Sequence, residues 1–373
     1  MNIVYLVGFF VEYLSHSLFF CVLNLQIDQL NAKIDQALAA KKDGSLPDAA
    51  RGVSLIPIRD KNVKCRRTLK GHFGKITALD WSEDGSTVVS ASQDGNLLLW
   101  DAITTTKKKD VRLKSSYVMS VTMDKSSNFV AAGGLDNACS IYNVAGEGPS
   151  KLTRELVSHE GYLASCKFFH SSSKMLTASA DATALMWDVE RGDILDTFAE
   201  HKSNLIDVQL VGKNNFLSSS TDKTIKLWDA RTSAKKGSLQ TLTGHRGDVN
   251  GITVLPGGNS LVSCSEDGTV RVWDLRAYGE VSSFGELVEA SERDPFSDGD
   301  AGFTSISSSK SGRLVFCGHS EGSVVCYDVL GNTKNPAYVL SNAHEEHVSC
   351  VGVSPTGDAL CTGSWDFNLK IFA

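Results

Sequence analysis

The sequence predicts an all-β fold, a seven-bladed β-propeller built from one repeated unit. The clearest copy covers residues 241–274, where His245 stands near the start, Asp267 lies in a turn and Trp273 ends the last strand. Short apolar runs separated by turn residues fill each copy. Copies follow one another between residues 68 and 373. Their period of roughly 40–45 residues is the spacing of propeller blades.

Two sequence features align the seven copies of the repeat. Each copy has an aromatic residue in its last strand and an acidic residue six positions earlier. The aromatic residues are Trp100, Tyr142, Trp187, Trp228, Trp273, Tyr327 and Phe372. The acidic residues are Asp94, Asp136, Asp181, Asp222, Asp267, Glu321 and Asp366. Five copies also have a histidine 27 or 28 positions before the aromatic residue, and the second and sixth copies lack it. The Trp-Asp ending is typical of WD repeats.

The repeated histidine and aspartate are predicted to be structural. A carboxylate in a turn accepts backbone N–H groups, and we expect the histidine to lie buried beside it, with a serine or threonine and the tryptophan completing the network. A reaction site is needed once rather than five times, so the repetition argues against catalysis. The predicted network comprises His72, Asp94, Trp100, His159, Asp181, Trp187, His201, Asp222, Trp228, His245, Asp267, Trp273, His344 and Asp366.

Composition excludes several classes of function. The chain has 373 residues and a net charge of −6, with no basic stripe, so nucleic acid is not an expected partner. The nine cysteines have irregular spacing and form no Cys-x-x-Cys pair, which indicates small buried hydrophobes in a reducing compartment. No phosphate-binding glycine loop, metal-ligand spacing or nucleophile with a fixed base is present. The sequence therefore predicts a protein that is not an enzyme and needs no cofactor or metal.

The first 25 residues are an atypical apolar segment, in which Glu12 and His16 are the only acidic or basic residues. Its length is sufficient to span a bilayer, but it lacks the basic start of a secretory signal, and Gly8 and Glu12 interrupt it. Three interpretations remain open at this point: a membrane anchor, an extension of the following helix, or a mistaken gene start.

Residues 26–48 are predicted to contain an α-helix of the coiled-coil type. The segment is rich in helix-forming residues, and Gly44 and Pro47 end the pattern. Its apolar residues follow the alternating four-and-three spacing of an a/d seam, which favours pairing with a partner helix. The alternative is that the helix folds back on the propeller wall. The seam residues are Ile27, Leu30, Ile34 and Ala37.

Residues 49–373 are assigned to the propeller. The chain ends after the third strand of the last blade, so Val53–Ile58 or Val63–Cys65 is expected to supply its outer strand and close the ring. A long acidic connection between Tyr278 and Phe303 is predicted to be a surface loop.

One face of the ring is predicted to bind a protein partner. The histidine and the turn aspartate belong to loops of the same face, so positions three and five after the histidine should border it, together with the position before the aspartate. The first set is Lys75, Thr77, Tyr117, Met119, Tyr162, Asn204, Ile206, Asp248, Asn250 and His347. The second set is Gln93, Leu135, Ala180, Thr221, Glu266, Ser320 and Trp365. Apolar and aromatic residues at turn tips are typical of an interface core, although Met119 and Ile206 could instead be buried between blades.

Several segments are more specific than the general WD-repeat pattern. They are Arg66–His72 (RRTLKGH), Val89–Asp101 (VSASQDGNLLLWD), Ala132–Asn143 (AGGLDNACSIYN), Ser309–Leu314 (SKSGRL) and Val348–Phe372 (VSCVGVSPTGDALCTGSWDFNLKIF). On these segments the sequence resembles the β subunit of heterotrimeric G proteins over about residues 26–373. The resemblance implies a helix paired with a prenylated γ subunit. It also implies a rim that binds the GDP-loaded α subunit and, after its release, effectors in receptor signalling.

The resemblance also implies which rim residues make contacts. Residues that match the family's contact set are Lys75, Met119, Leu135, Asn137, Tyr162, Asp248, Asn250 and Trp365. The chain departs from the family pattern at Tyr117 (usually Trp), Thr77 (an aromatic residue), Asn204 (an acid), Ile206 (Met), Glu266 (Asp) and His347 (Arg). These departures bear on α affinity and α choice.

The resemblance implies a location in the cytoplasm and at the cytoplasmic face of the plasma membrane, with membrane contact mainly through the lipidated γ subunit. The alternative function is that of another WD-repeat scaffold, such as a kinase-anchoring or ribosome-associated protein. Such a scaffold needs no partner helix, so the seam between Ile27 and Ala37 distinguishes the two hypotheses.

Overall fold

The computed structural model describes Lys33 and residues 63–146, 148–170, 172–232, 237–285, 302–331 and 334–373. The predicted seven-bladed β-propeller is confirmed, since seven separate antiparallel sheets of four strands follow one another along the chain. The apolar segment 1–25 and the seam of the helix predicted in residues 26–48 lie outside the described residues. Within the described ranges, no helix is long and apolar enough to cross a membrane.

Blades 1 to 6 run from an inner strand to an outer strand in sequence order. Blade 1 contains β2 (Ile76–Trp81), β3 (Thr87–Ser92), β4 (Asn96–Asp101) and β5 (Lys107–Arg112). Blade 2 contains β6 (Val118–Met123), β7 (Phe129–Gly134), β8 (Ala138–Asn143) and β9 (Lys151–Val157). Blade 3 contains β10 (Leu163–Phe168), β11 (Lys174–Ser179), β12 (Ala184–Asp188) and β13 (Ile194–Phe198). Blade 4 contains β14 (Leu205–Val211), β15 (Asn215–Ser220), β16 (Thr224–Asp229) and β17 (Gln240–Thr243).

Blades 5 and 6 follow the same order, and blade 7 takes its outer strand from the start of the described propeller. Blade 5 contains β18 (Val249–Val254), β19 (Ser260–Ser265), β20 (Thr269–Asp274) and β21 (Gly279–Gly285). Blade 6 contains β22 (Phe303–Ser308), β23 (Leu314–His319), β24 (Val324–Asp328) and β25 (Tyr338–Leu340). Blade 7 contains β26 (Val348–Val353), β27 (Leu360–Ser364), β28 (Asn368–Phe372) and β1 (Cys65–Lys70).

The ring closes through β1, which pairs antiparallel with β28. Closure by a strand that precedes the first blade was predicted at Val53–Ile58 or Val63–Cys65, and the observed strand is Cys65–Lys70. It begins at Cys65, the last residue of the expected Val63–Cys65 piece, and Val53–Ile58 lies outside the described residues. Pairing of Lys70 with Asn368 covers the outer edge of β28, so the last sheet has its full set of strands.

The hydrophobic core lies between the blades rather than inside any one of them. Seven apolar clusters are formed, and each joins two consecutive blades. The cluster that joins blades 7 and 1 contains Leu69, Trp100 and Ile371. Because the second and third strands of a blade are buried on both faces, they are continuous apolar runs, as in Asn96–Asp101.

Carboxylates on the inner strands add polar links between blades. Asp80 in blade 1 accepts hydrogen bonds from the Thr122 hydroxyl at 3.0 Å and the Met123 amide at 2.9 Å in blade 2. Asp207 in blade 4 accepts from the Ser165 hydroxyl of blade 3 and from the Ile252 amide of blade 5. Neighbouring inner strands are therefore held together even though they do not pair as strands.

Candidate protein-interaction site

The predicted network is built in the same way in four blades. In blade 5, the His245 ring lies between the Asp267 carboxylate, 3.0 Å from Nδ1, and the Ser263 hydroxyl, 2.7 Å from Nε2. The Trp273 indole N–H donates to the same hydroxyl at 2.8 Å. The equivalent groups in blades 1, 3 and 4 are His72, Ser90, Asp94, Trp100, His159, Thr177, Asp181, Trp187, His201, Ser218, Asp222 and Trp228. Blade 7 keeps His344, Thr362 and Asp366 but has Phe372 in place of tryptophan.

The network keeps its carboxylates ionised. Burial acts to raise the pKa of Asp94, but the hydrogen bonds from His72 and the Phe73 amide outweigh it and lower that pKa to about 2. The same balance lowers the pKa of Asp366 to about 2. Burial also lowers the pKa of His159, which favours its neutral ring. Each carboxylate also binds backbone amides of its own turn and of the loop after the histidine, so the network fixes two loops of the same face.

The network therefore acts as a scaffold for the rim. In all seven blades the tip residue before the acidic residue donates its backbone N–H to the carbonyl oxygen three positions after the histidine site. For example, the Trp365 amide donates to the His347 carbonyl and the Leu135 amide to the Tyr117 carbonyl, both at 3.0 Å. Both sets of predicted rim residues thus belong to one hydrogen-bonded belt around the ring.

The belt surrounds the mouth of a central channel with a volume of about 440 Å³. The rim residues that line the channel are Thr77, Met119, Tyr162, Ile206, Thr221, Asp248, Asn250 and Glu266. Met119 is 38% exposed, so it faces the channel rather than the space between blades, and Ile206 lines the same channel. Leu135 and Tyr117 stand outside the channel wall and are 51% and 54% exposed.

A β-bulge at the start of every inner strand explains why these side chains face the channel. The register skips one residue in each blade, and the skipped residues are Thr77, Met119, Ala164, Ile206, Asn250, Thr304 and Ser349. All seven line the channel. A bulged residue is turned out of the regular alternation, which directs its side chain away from the interblade core.

The bulged residues divide the channel wall into two arcs. In blades 1, 5, 6 and 7 the side chain donates to a backbone carbonyl of the next blade, as Thr77 does to Val118 at 2.7 Å and Asn250 to Phe303 at 2.8 Å. In blades 2 to 4 the bulged residues are Met119, Ala164 and Ile206, which carry no such donor. The bulged residues are therefore apolar on one arc of the channel and link neighbouring blades by hydrogen bonds on the other.

Trp365 is held in place by its neighbours. The Lys75 ammonium lies 3.7 Å from the centre of its ring, and the His347 ring stacks on it at 4.3 Å with an angle of 23°. Cation–π and stacking contacts of this kind reduce the side-chain entropy that is lost when a partner binds. The ring is partly exposed and held by contacts on both faces, so Trp365 is not a core residue.

The remaining predicted contact residues take positions on the same belt. Asn137 donates its side-chain amide to the Glu160 carbonyl at 3.0 Å, which links blades 2 and 3. Asn204 offers its backbone carbonyl to Thr221, and Asp248 offers its own to Glu266. Leu135, Tyr162 and Trp365 are thus distributed around one mouth of the channel, as the sequence predicted.

Two exposed aromatic residues near this face were missed by the sequence analysis. Phe73, the residue after His72, is 87% exposed, and Phe367, the residue after Asp366, is 44% exposed. Phe367 also has a positive φ of 67°. Comparison of the aligned turn tips would have found it, because the same position in blade 5 is Gly268.

The fold and the belt define a WD-repeat propeller with aromatic residues gathered on one face, around the channel mouth. No group of three or more metal-ligating side chains suited to a metal ion occurs in the described part of the chain.

The chain belongs to the family of G protein β WD-40 repeat proteins, whose model matches residues 21–373. It is 36% identical to a guanine nucleotide-binding protein subunit beta from Oryza sativa subsp. japonica over 342 residues, covering 87% of each chain. It is 34% identical to the subunit beta from Arabidopsis thaliana over 362 residues, covering 93% of this chain and 92% of the relative. The subunit beta from Zea mays is 36% identical over 356 residues, with 91% and 89% covered.

Proposed function

We propose that this chain acts as the β subunit of a heterotrimeric G protein, bound to a γ subunit, and that its rim binds the GDP-loaded α subunit. After the α subunit is released, the same rim binds effectors in receptor signalling. The chain performs no chemistry of its own, and membership of a family of non-enzymatic scaffolds supports this.

The observation that carries the proposal is the position of the aromatic and apolar rim residues around one channel mouth. Met119 and Tyr162 line the mouth, and Leu135 and Trp365 stand on turn tips beside it. Such a cluster, bordered by polar groups such as Asp248, has the composition of a binding hot spot. A second macromolecule is the natural occupant of an apolar patch on a rigid frame.

The rigidity of the rim indicates which subunit changes shape when the bound nucleotide changes. Each tip is tied to the belt by a backbone hydrogen bond, and Trp365 is packed against Lys75 and His347. A preformed surface of this kind discriminates between two states of a partner without changing its own shape. The nucleotide-dependent change therefore takes place in the α subunit, and the rim binds only the surface that the GDP form presents.

The second proposed partner is a γ subunit. The seam formed by Ile27, Leu30, Ile34 and Ala37 supports pairing with a helix of that subunit. We place the complex in the cytoplasm and at the cytoplasmic face of the plasma membrane, with lipid contact supplied mainly by the γ subunit.

Co-expression with a γ subunit followed by capture on immobilised α subunit tests the proposal. We expect the dimer to bind α loaded with GDP and to bind weakly or not at all to α loaded with a GTP analogue. The chain without γ should give little soluble protein. Equal capture in both nucleotide states, or no dependence on γ, would instead support the alternative of another WD-repeat scaffold.

Substitution of Trp365 by alanine provides the residue-level test. We expect the affinity for α-GDP to fall by about 2 kcal/mol or more, the usual loss at a central aromatic anchor. The melting temperature should change little, because the ring is partly exposed on a turn tip. Ile103→Ala, at an exposed position on a β4–β5 turn of the opposite face, is the matched control and should leave both quantities unchanged. A large loss of stability in Trp365→Ala would show that the side chain is part of the core.

A further inference from the structure

The hairpin turn between the inner and second strands of blade 4 is one residue shorter than its equivalents. In the other six blades, the residue that follows the inner strand donates its backbone N–H to a carbonyl five residues later, as Ser82 does to Thr87 at 2.9 Å. In blade 4, Val211 pairs with Asn215, four residues later. Because the inner strands begin at the channel mouth, these turns lie on the opposite face of the ring. The blade 4 turn therefore protrudes less than its neighbours on that face.

A cavity lies on each side of the shortened turn. The cavity toward blade 3 has a volume of about 190 Å³, and the cavity toward blade 5 has a volume of about 330 Å³. Lys213, Asn214 and Arg231 line both cavities, which are therefore two lobes of one groove, named here the turn groove. A Cβ atom added at Gly212 or Gly257 would meet nothing within 4 Å, so the lobe toward blade 5 is open.

The turn groove concentrates positive charge on a chain whose net charge is −6. Among the described residues that line it, none is a carboxylate. Lys174 and Lys213 are exposed, and neither ammonium group forms a hydrogen bond or ion pair within the described chain. Elsewhere on this face a turn lysine has an acidic partner, since Lys125 lies 3.5 Å from Glu83. Two unpaired ammonium groups in one concave site attract an anion.

Two contacts fix the walls of the turn groove. The His170 ring donates from Nε2 to the Gly212 carbonyl at 2.8 Å, which ties blade 3 to the turn of blade 4. Arg231 donates to the Asp229 carboxylate from Nε at 3.1 Å and from Nη2 at 2.9 Å. This pair adds no net charge, but it orients the guanidinium and leaves Nη1 for a ligand.

The shortened turn offers further hydrogen-bond donors. In the described chain, the backbone N–H groups of Gly212, Lys213 and Asn214 have no acceptor, and the Asn214 side-chain amide is also without a partner. Consecutive N–H groups in a tight turn, here with a φ of 59° at Gly212, form an anion-binding concavity. A phosphate group suits this donor set, because its three terminal oxygens accept more hydrogen bonds than the two oxygens of a carboxylate.

We propose that the turn groove binds a small ligand that carries two phosphate groups, one in each lobe, with Lys213 between them and Lys174 beside the first. The lining favours a small ligand over a protein, because its large apolar residues Phe169 and Met186 are only 8% and 5% exposed and provide no anchor for a partner. The proposal goes beyond the proposed function and does not depend on α binding, which uses the other face.

Titration of the full chain, co-expressed with γ, with inositol bisphosphate tests the proposal in solution. We expect Lys213→Gln to lower the affinity about ten-fold, as for one lost charge-assisted hydrogen bond, and the double variant with Lys174→Gln to lower it about thirty-fold or more. Both variants should keep the melting temperature, since the two side chains are exposed. Inorganic phosphate and a dicarboxylate should bind more weakly than inositol bisphosphate.

Insertion of one glycine between Lys213 and Asn214 tests the shape of the groove separately from its charge. The insertion restores the turn length of the other six blades and keeps both lysines. We expect the affinity to fall about ten-fold with little change in melting temperature, because surface turns tolerate added residues. Lys310→Gln is the matched control, since Lys310 is an exposed lysine in the equivalent turn of blade 6 and should leave the affinity unchanged.

A second arm identifies the source of the phosphate groups. Sedimentation with phosphatidylcholine vesicles that contain phosphatidylinositol phosphate, whose headgroup carries two phosphates, is compared with the titration in solution. Binding in either arm that requires Lys213 supports the proposal, and the stronger arm shows whether the ligand is soluble or a lipid headgroup.

No binding in either arm, an equal loss in Lys310→Gln, or equal affinity for the dicarboxylate would overturn the proposal. Trp365→Ala should bind inositol bisphosphate as the unchanged chain does, so that failure of the turn groove and failure of the rim are distinguishable.

Discussion

Blades 5 and 2 form the same four-stranded sheet, but they carry different side chains at the equivalent interior positions. Blade 5 joins His245, Ser263, Asp267 and Trp273 in one buried hydrogen-bonded network. In blade 2 the corresponding positions hold Lys114, Ala132, Asp136 and Tyr142, so only the acid remains. Asp136 is exposed, and no hydrogen bond to its carboxylate is found among the residues that the structure describes.

Blade 2 replaces the network with packing. Tyr142 is 5% exposed, and it borders a small cavity lined by Leu113, Val118 and Ala132. Burial raises the pKa of its phenol. Blade 6 uses a related solution, in which Tyr327 is 5.4 Å from the Phe284 ring and 6.2 Å from the Phe303 ring. Aromatic packing is therefore sufficient to fill a blade.

Blade 7 shows which members of the network depend on one another. It has Phe372 in place of tryptophan, yet the bonds from His344 to Thr362 and Asp366 remain at 2.7 and 2.8 Å. Where the histidine is absent, in blade 2, the hydroxyl is absent as well. The histidine and the hydroxyl thus occur together or not at all, whereas the acid also occurs without them and the indole is an addition to the network. A partly satisfied buried network costs more than none, which accounts for this grouping.

The largest difference between the two kinds of blade is expected on removal of the acid. Asp267→Ala removes the acceptor for His245, the Arg246 amide and Thr269 in a site that is 2% exposed. Orphaned buried donors should lower the free energy of unfolding by about 3 kcal/mol or more. Asp136→Ala should cost less than about 0.5 kcal/mol, because that side chain is exposed.

Thermal and urea unfolding of the two variants measure this difference under the same conditions. Equal losses of stability would mean that Asp136 stabilises blade 2 as strongly as Asp267 stabilises blade 5, in spite of its exposure. Asp267→Asn sharpens the result, since it keeps the shape of the side chain and removes the charge that His245 faces.

A smaller effect is expected from moving part of the network into blade 2. Tyr142→Trp places an indole N–H opposite Ala132, which has no hydroxyl to accept it, and adds volume to the apolar cluster between blades 1 and 2. We expect a loss of about 1–3 kcal/mol. The double variant with Ala132→Ser should recover part of this loss, whereas Ala132→Ser alone should not stabilise the protein. A double variant that is less stable than Tyr142→Trp would contradict the view that the hydroxyl is the missing acceptor.

The repeat architecture and the ring of tips could be predicted because their causes are local. The spacing of His245, Asp267 and Trp273 indicates the length of the repeat, and turn residues indicate where its strands end. The closing strand Cys65–Lys70 was harder to locate, because an exposed outer strand with the sequence CRRTLK has little apolar alternation. The orientation of Met119 and Ile206 could not be predicted, since β-bulges interrupt the period of two at these residues.

The arrangement of the rim side chains could be predicted only in part. The tip positions of Leu135 and Trp365 follow from the repeat alignment, and both are on the channel-mouth face. The stacking of His347 and Lys75 on Trp365 depends on side chains from different loops that meet only in the folded ring. The strained Phe367 is likewise visible only when the backbone conformation of all seven turns is compared.

The smallest and most specific difference between the blades is expected in their response to acid. The pKa of Asp94 is lowered to about 2, below the value of about 3.9 for an unfolded aspartate. A lowered pKa contributes stability that is complete above the unfolded value and is lost as the pH falls toward the folded value. The lowered pKa of His159 adds a loss that begins below about pH 6.5, since the unfolded ring binds the proton first.

We therefore compare melting temperatures of the unchanged chain, Asp94→Asn and Asp136→Asn between pH 7 and pH 2.5. The gap between the unchanged chain and Asp94→Asn should narrow as the pH falls below about 4, because protonation removes the same charge that the substitution removes. Asp136→Asn should follow the unchanged chain throughout, since its carboxylate lies outside any network in the described chain. A gap for Asp94→Asn that stays constant down to pH 2.5 would show that shape, rather than the ionised carboxylate, is what His72 requires.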